Sequence, residues 1–323
     1  MAITTITPEM AQSDFITAIN NNLTFLQYNG ATVTTFSSSS GGITELNSSL
    51  VSIKNKTPLT SSVNTLAIGM SGANFINYIN QSCVNLNNSF NVKVNRPLLT
   101  LRFDDGYSGY HIMDEWLPLL NSLGVVGNLV ILAGEVGVAG DFITWANVQT
   151  LVSAGWEILS HGMYRNDNYA GLTDAQLLTL LQTTKSTIEA QGITCNNYGA
   201  HLAGNCQDVR LPQIARKVYK ISSSDLHYEA NPVNINLFNA IQLMGDSSIS
   251  GYPNYYAINT PEEVTYIKSL LDLCKAENRW LTYTLHGYST TYVANYTEII
   301  NYAKSLNIDI VTTEEVYNSL VEY

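Results

Sequence analysis

Pro97-Leu98-Leu99-Thr100-Leu101-Arg102-Phe103-Asp104-Asp105-Gly106 is the stretch on which the reading of this chain turns. Its apolar run is short and bounded by Pro97 and Gly106, which predicts a buried strand. The strand ends in two adjacent carboxylates. Successive side chains of a strand point to opposite faces, but a break at glycine can turn both acids toward one cleft. There one can bind a metal and the other can take a proton from water. Taken alone, Asp-Asp-Gly is also a surface-turn sequence, so the surrounding chain decides between the two.

Downstream, strands and helices alternate. Helical periodicity covers residues 110–123 through Ile112, Trp116, Leu119 and Leu120, with Pro118 bending or shortening the helix. Residues 125–132 form an apolar strand, 144–154 a helix, and 156–162 a strand ending in His161 and Gly162. Thr173 with Gln176 opens a long helix that runs to Gly192, and Pro261 starts another in the favoured first position. Residues 280–287 form a strand that delivers His286, and a helix over 297–306, a short strand and a terminal helix follow. Such alternation predicts an α/β fold with a parallel sheet or barrel, whose functional groups collect at the C-terminal strand ends.

The first 95 residues differ. The serine-rich stretch 37–62 predicts loops or short exposed strands. On either side of it, residues 9–20 and 69–80 repeat at an offset of 60, and the apolar match continues in Leu23 with Cys83 and Leu26 with Leu86. Phe15, Ile19, Leu23 and Leu26, like Phe75, Ile79, Cys83 and Leu86, recur every three or four residues and make one apolar stripe on a helix. That stripe packs either on the second domain or on a partner. Two domains are therefore expected, a repeated-helix module over 1–95 and a larger domain over 96–323.

Composition narrows the function. With 15 Lys+Arg against 26 Asp+Glu and a formal charge of −11, a nucleic acid or anionic membrane would be repelled. No segment approaches the length of a membrane-spanning helix, and the N-terminus lacks the basic start and apolar core of a secretion signal. The four cysteines fit neither a zinc ribbon nor a redox pair, and only Cys195 and Cys206 are close enough for a local disulfide. His111, His201 and His227 read as ordinary polar or loop histidines. The tyrosines of residues 251–256 suit either packing or a sugar platform.

From about Leu98 to Tyr317 the chain resembles the polysaccharide deacetylase family, carbohydrate esterase family 4 with its nodulation-type deacetylase domain. Arg102-Phe103-Asp104-Asp105-Gly106 follows the family's Thr-Phe-Asp-Asp-Gly, and Leu285-His286 follows its late Leu-His. The tail through Ile299–Leu306 and Thr312–Glu315 follows how these domains end. His161-Gly162-Met163-Tyr164-Arg165 keeps the first histidine of His-(Ser/Thr)-x-x-His and puts Arg165 in place of the second. Residues 198–204 keep the glycine of the middle motif without its proline or arginine.

The resemblance implies a distorted (β/α) barrel that removes acetyl groups from polysaccharide with a divalent metal, usually zinc. Asp104 would be the general base, His286 the general acid, and Asp105 and His161 metal ligands. Guanidinium carries no free lone pair, so Arg165 cannot be a ligand; Asp167, Asn166 or His201 would complete the set, with Asp167 taken first. The competing reading is a degenerate domain that binds glycan or serves a particle, with Arg165 paired bidentately to Asp105. Arg102 would either merely replace threonine or add positive charge near the cleft. The implied partner is a cell-surface polysaccharide. Residues 1–95 loosely resemble attachment regions of phage tail and baseplate proteins, which implies copies of the chain or virion proteins as further partners and a virion or cell-exterior location.

Overall fold

The computed structural model describes residues 12–26, 42–54, 75–76, 79–83, 91–138, 140–199, 208, 210–223, 225–226, 234–236, 240–244 and 260–321. Helices α1 (Gln12–Leu26) and α2 (Gly42–Lys54) precede β1 (Asn91–Lys93) and β2 (Leu98–Asp105). There follow α3 (Leu117–Ser122), β3 (Asn128–Ile131), α4 (Trp145–Ser153), β4 (Glu157–Ser160), α5 (Asp174–Glu189), β5 (Tyr198–Gly199) and α6 (Leu211–Ala215). The chain continues through β6 (Ser222–Ser223), β7 (Asp225–Leu226), β8 (Asn234–Asn236) and β9 (Ile241–Met244). It closes with α7 (Pro261–Glu277), β10 (Trp280–Leu285), α8 (Thr290–Ser305), β11 (Asp309–Ile310) and α9 (Thr313–Val321).

Among the described residues, nine strands make one parallel sheet in the order β6-β5-β4-β3-β2-β10-β9-β7, with β11 on the start of β2. The sheet curls into an incomplete barrel with helices around it. β2 is central, and all eight of its residues are buried. Its alternation separates two environments. Phe103 faces the helices and packs against Trp116, Trp156 and Tyr296 with ring centroids 5.2–5.9 Å away. Arg102 and Asp104 lie on the opposite face.

The register levels the strand ends. Phe103 pairs with Leu285, so His286 follows at the height of Asp104. Asp105 pairs with Ile131, Ile131 with Ser160, and Ser160 with Tyr198, which places His161 and Gly199 at the same rim. Capping boxes at Thr144/Asn147, Thr173/Gln176 and Thr260/Glu263 start α4, α5 and α7, each satisfying helix-end amides.

Glu157 anchors the start of β4. Its carboxylate accepts from Asn197 Nδ2 and from the Glu314 amide at the start of α9, both at 2.7 Å. Burial pushes it up to about 7, against the pull of the Asn197 and backbone hydrogen bonds and with a further push from Glu314. The folded state therefore holds a proton that the unfolded chain releases near 4.5, so stability falls as pH rises from about 4.5 to about 7. In Glu157→Gln that slope, worth about 3 kcal/mol at most, is expected to vanish from urea midpoints measured across the interval.

Two local expectations are corrected, and a third, the helix bent or shortened at Pro118, is refined. The stretch 37–62 contains α2, because Ile43, Leu46, Leu50 and Ile53 keep a helical stripe among the serines and Leu46 and Leu50 are buried. Residues 110–123 are not one helix: a π turn over Ile112–Trp116 precedes α3, with Pro118 in its first turn. Pro118 lacks the amide that an uninterrupted α-helix would bond to Asp114. The helix expected at 297 begins at Thr290, where the Ser289 hydroxyl accepts the Tyr292 amide.

In the leader, α1 packs on α2 with Ala18, Ile19 and Leu23 buried, and Ile79 and Cys83 are buried too. His201, Cys206, His227 and residues 251–256 lie outside the described residues; Cys195 is a buried thiol. No helix among the described residues is long and apolar enough to cross a membrane.

Candidate active site

The strand end bends as the Asp-Asp-Gly sequence requires. Gly106 N donates to Asp104 O at 2.8 Å across a γ-turn centred on Asp105, whose φ is +67°. Such turns are rare and strained for a residue with a side chain, and persist where surrounding structure holds them. The bend brings Asp105 into the cluster that Asp104 enters by strand alternation. Both are buried, at 0 % and 3 % exposure.

Two histidines complete the cluster. His161 Nδ1 donates to the Gly199 carbonyl at 2.5 Å, which leaves Nε2 as the nitrogen with a lone pair in the neutral ring. That Nε2 lies 3.5 Å from Asp105 Oδ1 and 3.7 Å from Asp104 Oδ2. His286 Nε2 is 3.4 Å from Asp104 Oδ2. The sequence-predicted Asp104, Asp105, His161 and His286 are thus brought together.

Arg102, two residues before Asp104 on the same face, grips it from below. Nε and Nη2 donate to Oδ1 and Oδ2 at 2.5 and 2.8 Å, with both side chains out of solvent. Gly199 makes the room: a Cβ there would lie 2.7 Å from Arg102 Cζ. Burial alone would raise the Asp104 carboxyl, but Arg102, then His161 and His286, hold it far below the usual carboxylate range. Asp105 goes the other way. Burial and the neighbouring Asp104 push it up to about 6 against the charges of His286, Arg165 and Arg102. Two adjacent acids are thereby separated, one a fixed anion and the other titrating near neutrality.

Arg165 does not form the expected bidentate pair with Asp105. Nη1 donates to the Tyr107 hydroxyl, and the guanidinium lies over the Tyr107 ring, 5.1 Å from its centroid. Its charge still registers Asp105: burial opposes the cationic form, and Asp105 and Tyr107 more than restore it. Asp167 also stands apart, since Oδ2 accepts the Tyr164 amide at 2.9 Å and closes the turn that carries Arg165. Asn166 sits exposed in that turn. His111 pairs with Asp114 at 3.0 Å outside the cluster.

Asp105 and His161 have the right donor chemistry and spacing to share a divalent cation. Among the described residues, however, no three His, Cys, Asp or Glu side chains converge as a metal-holding group. The described residues therefore do not fit a three-ligand zinc centre. Sequence reasoning allowed Arg102 a charge near the cleft without pairing it with Asp104, and it missed the parts played by Gly199 and Tyr107. Only the Arg102–Asp104 spacing carried a signal, because residues two apart on a strand share a face.

No family model and no curated protein matches the chain. Among solved structures it is similar to a candidate polysaccharide deacetylase from Mycobacterium smegmatis, at 12 % identity over 71 % of this chain and 94 % of that one, with a TM-score of 0.50. It is also similar to the Xyl-CE4 domain of a multidomain xylanase from the hindgut metagenome of Trinervitermes trinervoides, at 17 % identity over 69 % and 90 % of the two chains and a TM-score of 0.43. A third is a CE4 family pseudoenzyme from Bacillus anthracis, at 11 % identity over 71 % and 68 % and a TM-score of 0.45. On the likeness to the M. smegmatis structure, the chain has the polysaccharide deacetylase fold, at low identity.

Proposed function

We propose that residues 96–323 hydrolyse acetyl groups from an acetylated polysaccharide. The observation that carries this reading is the divergence of the two adjacent acids at a strained strand end, beside an imidazole. Asp105, poised near neutrality and bent into the cleft, accepts a proton from the attacking water. Asp104, pinned by Arg102, is the lasting anion beside His286, and the imidazolium of His286 gives its proton to the departing sugar nitrogen or oxygen. These roles differ from those implied by family resemblance, where Asp104 is the base and Asp105 a ligand. A carboxylate accepting two guanidinium hydrogen bonds is a weak base, and that favours the exchange.

A non-catalytic glycan-binding role is the second reading, favoured by the lack of a third metal donor among the described residues. One experiment separates them. Incubation with acetylated chitooligosaccharides and acetylated xylan, followed by enzymatic detection of acetate, should give many turnovers per protein. Saturable oligosaccharide binding with no acetate released would leave the binding role.

A further inference from the structure

We infer that Arg165 and Tyr107 together form the acyl-oxygen site of this cleft, a pair of hydrogen-bond donors doing the electrophilic work that a metal would otherwise do. The inference rests on the deacetylase reading and names what polarises the substrate. Three observations support it. The turn bearing Arg165 is fixed at several points: its backbone amide donates to Glu135 Oε1 at 2.7 Å, Asp167 closes the turn, and Gly134 N donates to Met163 O at 2.9 Å. Gly134 is covered so closely by Tyr164 that a Cβ would lie 2.4 Å from the ring.

The guanidinium is aimed by Tyr107, which is itself stacked on Phe142 with ring centroids 4.3 Å apart. Nη1 makes this bond, and the guanidinium fork carries further N–H donors on Nε and Nη2. The Tyr107 oxygen accepts from Arg165, which leaves its own O–H to donate. Finally, the pair lines a cleft of about 410 Å³ with Gly109, Tyr110, Gly140 and Asp141. Tyr107 follows Asp105 by two residues, and the positive charge of Arg165 favours the anionic form of Asp105. Through Tyr107 the cleft adjoins the strand end that carries Asp104 and Asp105.

An acetyl ester or amide fits these donors. Water forms a bond to the acyl carbon, one of its protons passes to Asp105, and the carbonyl π pair moves onto the acyl oxygen. Arg165 and Tyr107 hydrogen-bond to that oxyanion. The pair then returns, the bond from acyl carbon to sugar nitrogen or oxygen breaks, and the leaving atom takes a proton from His286. Acetate and a free amine or hydroxyl are the products. A planar guanidinium also suits the acetate carboxylate.

Acetate release by chelator-treated protein and by Arg165→Met, together with acetate titration followed through the arginine Nε–H resonances, tests the assignment. Retained release after chelation is expected. Arg165→Met should lower kcat by about 10²–10³-fold, the usual loss for one oxyanion donor, with the acetate-dependent shift of one arginine resonance abolished. Release that the chelator stops and zinc restores, or an Arg165→Met rate equal to wild type, overturns this inference and leaves the deacetylase reading intact. No acetate release under any condition overturns both.

Discussion

Arg102→Met is expected to cost about 3–5 kcal/mol of stability, the usual cost of stranding one member of a buried ion pair. The substitution nearly preserves volume but leaves Asp104, at 0 % exposure, without the two hydrogen bonds that hold its charge. The pH dependence identifies the cause. Asp104 is depressed in the folded wild type, so its contribution is present above the ordinary value of 3.8 and is lost as pH falls below it. The gap between variant and wild type should therefore narrow toward acid, where the stranded carboxyl protonates. Arg102→Met combined with Asp104→Leu should recover much of the loss, because replacing a whole buried pair with apolar groups is often neutral. Urea unfolding of the three proteins checks this, and an Arg102→Met midpoint equal to wild type would refute the pairing.

Asp105→Asn should move stability and activity in opposite directions. Asparagine adopts positive φ readily, so the γ-turn at +67° survives the change. The folded pKa of Asp105, about 6, lies above its ordinary 3.8. Wild-type stability therefore declines as pH rises through that interval, and the neutral amide avoids the penalty. A gain on the order of 2 kcal/mol at neutral pH follows. Loss of a general base costs about 10²–10⁴-fold in rate. Thermal melts and acetate release on one preparation read both effects, and a variant that is less stable yet fully active would contradict the roles given to the two acids.

Much of the candidate site was legible in the sequence. Asp104/Asp105, His161 and His286 each follow an apolar run and precede a glycine, the signature of a strand terminus; parallel register then levels the three ends without further instruction. What was not legible depends on contacts between distant segments. Arg165 could be read as a lost ligand, but its turn toward Tyr107 follows from the Glu135 contact, 30 residues away in sequence. Gly199 showed as a motif glycine, whereas its use, clearing space for the Arg102 guanidinium, exists only once β2 and β5 share a barrel. α2 was hidden because serine spacing suggested loop while four apolar residues kept helical period. The π turn before α3 depended on how the chain relieved the missing Pro118 amide, which sequence marks only as an interruption.

The most direct test is acetate release from an acetylated chitooligosaccharide by wild-type protein and His286→Gln, measured across about pH 5 to 8. The account predicts a wild-type rate that rises as Asp105 ionises through about 6, and a His286→Gln protein that binds the oligosaccharide but releases little acetate. Wild-type protein that binds and never releases acetate, or His286→Gln as fast as wild type, would contradict it.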